Sequence, residues 1–223
     1  YKYCVRAVFA GSDTLDLGCD FGWRPPNGAI AGRVTTRGGA GVEGISVSLE
    51  PSPGGALLLD GVTGNVRVKE SGELDFCKAD DFTVECWIRY SGEGEAATSD
   101  MPVISKANAF SHFPFVVRTD GAGGYPGRIV FSMSDGADYA SVASSDTSAF
   151  DDNAWHHVSC VYDGELEEIN LYIDGQFHGE TSASAIGEIA NDDDLFFGAG
   201  RPGVFHGQID EVRVWNVART DVE

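Results

Sequence analysis

The chain has 223 residues, with 15 Lys and Arg against 35 Asp and Glu, and a formal charge of −20 at pH 7. A field of that sign opposes every phosphate contact, so nucleic acid is not an expected partner; acidic loops favour solubility and cations instead. No apolar run approaches the roughly 20 residues that a membrane helix needs, and no signal-peptide pattern opens the chain, so membrane insertion is not expected.

The length suffices for one full sandwich core and leaves about 50 residues over. With 29 Gly, frequent Val, Thr and aromatic residues and no sustained 3.6-residue stripe, the fold class is all-β, built from many short strands. The chain opens in mid-strand at Tyr1-Lys2-Tyr3 and stops at Val222-Glu223, which reads as a piece of a longer, processed extracellular protein.

Residues 1–8 alternate cleanly, and residues 20–27 follow as a Pro-containing linker that cannot continue a ladder. Residues 29–35 and 44–49 then bracket a Gly-rich turn as a hairpin, with Ile30, Val34, Ile45 and Val47 as its partner-strand residues. Two strands alone are marginal in water. The hairpin therefore either packs on the rest of the chain or pairs its edges with neighbouring copies, as in a fibre. Pro and Gly at 51–55 mark a boundary, giving three segments: 1–26, 27–53 and 54–223. In the last, strand patterns recur every 8 to 12 residues: 56–61 with 65–68, then 82–88, 103–106, 115–117, 129–133 with 140–143, 195–198 and 208–216. The clearest stretch is 155–175, where Val158, Cys160 and Tyr162 alternate on one strand and Ile169, Leu171 and Ile173 on the next. Both strands end in Asp-Gly.

The order Trp155-His156-His157-Val158, Tyr162-Asp163-Gly164 and Leu171-Tyr172-Ile173-Asp174-Gly175 resembles the central hairpin of laminin-G-like domains of the concanavalin A-like jelly-roll superfamily. Residues 82–88 resemble that family's early core strand, 207–216 its last strand, and 56–61 with 65–68 its opening hairpin. The resemblance implies a two-sheet antiparallel jelly-roll sandwich over about residues 54–219. It does not carry a function with it, because the fold serves lectins, adhesion modules and glycosidases alike. Residues 1–8 resemble a late strand of a fibronectin type III repeat. The 29–49 hairpin resembles the opening strands of the immunoglobulin-like domains that follow carboxypeptidases.

Five cysteines in a chain of this kind suggest two disulfides and one free thiol, with a reduced intracellular protein as the alternative. Cys4 and Cys19 flank a turn and form the expected local pair. The family resemblance implies a Cys86–Cys160 bridge, since pentraxins join the same strands, although each Cys there falls one residue earlier. Cys77 is then left over.

For chemistry, Glu73-Leu74-Asp75-Phe76-Cys77-Lys78 resembles the start of the acidic strand motif of glycosidases on this fold, but Lys78 stands where the proton-donating Glu belongs. His156 and His157, adjacent on a strand, point to opposite faces and cannot share a metal. Calcium is the better-supported cofactor, since a hard cation takes six to eight oxygens from Asp-rich turns. Asp60 with Asp210, on the first and last strands, form one candidate site; Asp192 and Asp194, in the acidic run after Asn191, form a weaker one. Tyr125, Tyr139, Phe110, Phe113 and Phe205 fall in expected loops without defining a sugar pocket. No Asn-x-Ser/Thr sequon occurs, so N-glycosylation is not expected. Three functional classes remain. The leading one is a non-catalytic structural or adhesive module of a large extracellular protein, whose partners are other domains or copies of itself. A calcium-dependent module that binds glycans is the alternative, and a glycoside hydrolase is the third.

Overall fold

The computed structural model describes residues 2–8, 14–21, 56–70, 72–92, 99–107, 112–145, 149–200 and 203–219, the first two segments by backbone alone. The chain divides into two compact units, Tyr1–Gly55 and Ala56–Glu223. In the first, β1 (Lys2–Val8) and β2 (Thr14–Phe21) pair antiparallel in a register that sets Cys4 directly opposite Cys19. The hairpin carrying Ile30, Val34, Ile45 and Val47 lies outside the described residues.

The second unit is a jelly-roll sandwich. Its strands are, in chain order, β3 (Leu57–Asp60), β4 (Val66–Val68), β5 (Phe82–Arg89), β6 (Pro102–Ser105), β7 (His112–Asp120), β8 (Tyr125–Asp135), β9 (Tyr139–Ala143), β10 (His156–Asp163), β11 (Glu168–Ile173), β12 (Gln176–Ser182), β13 (Leu195–Phe197) and β14 (His206–Trp215). They form two six-stranded antiparallel sheets, ordered β12-β11-β10-β5-β14-β3 and β4-β13-β6-β7-β8-β9.

Alternation decides what the core receives. On β5, Phe82, Val84, Cys86 and Ile88 are buried between the sheets, opposite Val158 and Cys160 of β10 and beside Ile169, Leu171 and Ile173 of β11. From the other sheet come Ile104, Phe115, Val117, Ile129, Phe131 and Met133. Phe82 is the hub of an aromatic cluster, with ring centroids 4.9 Å from Phe76, 5.6 Å from Phe115 and 5.3 Å from Tyr162. The buried tyrosine hydroxyls are satisfied: Tyr162 donates to Lys78 O at 2.7 Å and Tyr90 to Pro126 O at 2.8 Å. Burial accordingly pushes the Tyr162 phenol up to about 12.

The two Asp-Gly dipeptides of the central hairpin turn out to act differently. Asp174 and Gly175 both adopt positive φ, 53° and 73°, the tight two-residue turn between β11 and β12. At Gly164 the requirement is space, because a Cβ there would meet the backbone of Ala79 at 2.9 Å.

The expected opening hairpin is not formed. β3 pairs with β14 in one sheet and β4 with β13 in the other. Asp60 turns the chain between them: its Oδ1 accepts from the amides of Val62, Thr63 and Gly64 at 2.9 to 3.1 Å, an Asx-type cap that redirects the backbone instead of folding it back.

Candidate functional site

The side chains that β5, β10, β11 and β14 turn away from the core share the outer face of the β12…β3 sheet. One row runs from Phe177 through Tyr172 and Ser159 to Glu85 and Arg213, and the next joins His157, Trp87 and Asp210. Tyr172 and Phe177 pack edge to face, with centroids 5.6 Å apart and Phe177 54% exposed; Trp87 and His157 pack at 5.2 Å. Strands about 4.8 Å apart put the two aromatic pairs roughly 10 Å from each other across the sheet.

Glu85 anchors this face. It is 7% exposed although it points outward. Arg213 Nη1 donates to its Oε1 at 3.4 Å, Arg219 Nη1 lies 3.6 Å away, and His157 Nε2 is 4.0 Å from Oε2. A buried carboxylate requires such partners. Arg219 arrives because the segment after β14 folds back over β5: Thr83 Oγ1 donates to Val217 O at 2.8 Å and accepts from Arg219 N at 2.9 Å. The Arg219 guanidinium then stacks 4.5 Å above the Trp215 ring. The β14 bulge at Glu211, φ 52°, shifts the register so that Arg213 reaches Glu85.

At the end of the same sheet His156 links two loops. Its Nδ1 lies 2.8 Å from Asp174 Oδ2 and its Nε2 3.1 Å from Asp152 Oδ1, with Phe150 edge-on at 5.0 Å. The hydrogen bond to Asp174 raises the imidazole above its ordinary range, against burial, and Asp152 adds to it. Asp152 is lowered, first by the Ala154 amide and then by His156. His157 goes the other way: desolvation lowers it, only partly offset by Glu85. The two histidines do face opposite ways, as their adjacency on a strand requires, and each is committed to a structural partner.

The residues expected to hold calcium do not converge. Register sets Asp60 opposite His206, whereas Asp210 lies beside Trp87, four residues further along β14, roughly 13 Å away along the strand. Asp60 spends Oδ1 on three amides, which hold its carboxyl down at about 2. Asp194 accepts from Glu70 N at 2.7 Å and pairs with Arg67, and no contact ties Asp192 to it. Asp60 and Asp210 are thus not neighbours on the sheet. Among the described residues, no group of three or more His, Cys, Asp or Glu side chains is arranged to hold a metal ion.

The implied Cys86–Cys160 bridge is likewise not made. Both are buried free thiols, because Cys86 stands opposite Val158 and Cys160 opposite Val84, a diagonal one pair off the position at which a bridge would close directly. Desolvation raises both thiols. Cys77 is a third free thiol, exposed.

The glycosidase-like segment is irregular instead of a strand, so Glu73 and Asp75 are not set on one sheet face. Asp75 accepts from Asn191 N at 3.0 Å, and Lys78 pairs with Glu167 at 3.0 Å. Of the loop aromatics, Phe205 and Phe113 are buried, Tyr125 and Tyr139 lie on strands and are exposed, and Phe110 is outside the described residues. Sequence reasoning missed the Glu85 and His156 clusters. The signal available was the charge and aromaticity of the outward positions on β5 and β10, but which residues they meet depends on β14 and on the 150–155 loop.

No curated protein sequence matches the chain. Among solved structures it is similar to the binding domain of Paraclostridial Mosquitocidal Protein 1, at 17% identity and a TM-score of 0.57 over 75% of this chain and 44% of that one. It is similar to the binding domain of botulinum neurotoxin serotype G, at 16% identity and 0.54, over 77% and 46%. A third is a "putative carbohydrate binding protein" from Bacteroides ovatus, at 20% identity and 0.53, over 72% and 43%. The chain thus spans under half the length of each, and at these identities the likeness is one of fold. Residues 60–223 match the Laminin_G_3 model of the concanavalin A-like lectin/glucanases superfamily, and the chain belongs to that family.

Proposed function

We propose that this chain is a non-catalytic recognition and adhesion module of a larger extracellular protein, and that it takes a neutral glycan on the outer face of the β12…β3 sheet. The observation that carries this reading is the pairing of Tyr172 with Phe177 and of Trp87 with His157 on one open sheet face. Aromatic rings offer apolar area to the C–H faces of a sugar ring, and Asn170, Ser159 and Arg213 beside them supply hydrogen-bonding groups that orient it. The charge of −20 favours an uncharged ligand over an acidic one. The neighbours named as binding domains accord with a recognition role. Asp75 and Lys78 are engaged in structural contacts, which supports the non-catalytic reading over a glycosidase one.

Retention of the whole chain on a panel of immobilised neutral oligosaccharides tests the reading, in calcium and in EDTA. Binding that falls at least tenfold in Phe177→Ala with Tyr172→Ala, at an unchanged melting temperature, is the expected result. Binding that survives the double substitution places the ligand elsewhere. Absence of binding to any neutral glycan removes the proposal.

A further inference from the structure

The run Asn191-Asp192-Asp193-Asp194 has the composition of a cation-binding loop, and in the fold the centre of that loop is already taken by a cation belonging to the chain. Lys106 follows β6 directly and is 0% exposed. Its Nζ donates to Asn191 O at 3.1 Å, to Asp193 O at 2.9 Å and to Glu70 Oε2. An ammonium has three donors and no acceptor, and three oxygens satisfy it.

The cage is braced from outside. Asn191 Nδ2 donates to Lys106 O at 3.3 Å and His112 O at 3.2 Å, and Asn191 N donates to Asp75 Oδ1 at 3.0 Å. Asp194 accepts from the Glu70 amide and pairs with Arg67, which fixes the residue that supplies the carboxylate. Alternate backbone carbonyls and a carboxylate aimed at one point are the oxygens that a hard cation recruits. A second cation at the same oxygens would be repelled by the ammonium at contact distance, and a buried site screens that repulsion weakly.

We propose that the Lys106 ammonium is the resident cation of the 191–194 loop. It fills the place that a divalent ion would otherwise take, so that Glu70, the end of β6 and the loop are joined without metal. The acidic run is thus a metal-type loop with a tethered counter-ion, and removal of the tether uncovers a latent divalent-ion site.

The test compares melting temperatures of the whole chain in calcium and in EDTA for three proteins: the native chain, Lys106→Ala and Lys106→Met. Calcium acts on any strongly acidic surface, so the readout is the difference between variants. Lys106→Ala opens the cage and should be stabilised by calcium by several degrees more than the native chain. Lys106→Met fills the space without charge and should respond no more than the native chain. An equal response in all three, or a native response as large as that of Lys106→Ala, overturns the proposal. If Lys106→Ala does not fold in EDTA, its refolding in calcium is measured: recovery in calcium alone supports the proposal, and failure in both overturns it.

Discussion

His156 shows how one side chain ties two loops and sets a pH window. Its pKa is raised, so the stability it contributes is fully present below the ordinary histidine value and is lost as pH rises through the higher folded value. Asp152 and Asp174 are lowered, so their share is present at neutral pH and lost only as pH falls through their depressed values. The clamp is therefore strongest between those limits. Both carboxylates are about half exposed, so His156→Ala should cost only about 1 kcal/mol at mildly acidic pH, and less at alkaline pH, as measured by denaturant melts across pH. At Phe82, by contrast, the cost is pH-independent. Its ring touches three others in a closed core, so Phe82→Ala should cost about 3–5 kcal/mol in the same assay.

At the scale of elements, β5 is the centre of its sheet, paired to β10 on one side and β14 on the other. Its outward residues hold the chain that follows β14. Thr83→Val removes one donor and one acceptor at once, and hydrogen exchange should then show the Arg219 amide unprotected while the β5 amides stay slow. A loss of β5 protection instead would mean that the strap is part of the sheet's own cooperative unit. The short outer strands bear on assembly. β3 and β4 are four and three residues long, which blunts sheet edges against pairing with another chain.

For the whole molecule, the thiols give a direct check on how far covalent bonds hold it together. Titration of the native chain with a thiol reagent should show Cys77 alone among the described thiols, and denaturation should add Cys86 and Cys160. The β1–β2 register sets Cys4 opposite Cys19, so a local bridge there predicts three thiols in total after denaturation, and five predicts none. The Cys86–Cys160 pair contributes as apolar core volume, not as a cross-link.

Much of the sandwich was legible from residues alone, because alternation is a local property. Val158, Cys160 and Tyr162 against Ile169, Leu171 and Ile173 have to share a buried face, and Asp174-Gly175 has to turn. The family followed from the order of four such segments. What the sequence could not show was register and partner choice between distant strands. A shift of four residues along β14 separates Asp210 from Asp60, a one-pair offset leaves Cys86 and Cys160 unbridged, and β3 and β4 divide between two sheets although they are neighbours in the chain. The acidic run at 191–194 is plain in the sequence, yet its cation, Lys106, lies 85 residues away in the chain. Local pattern decides which face a side chain takes; only the packed fold decides which charge it meets there.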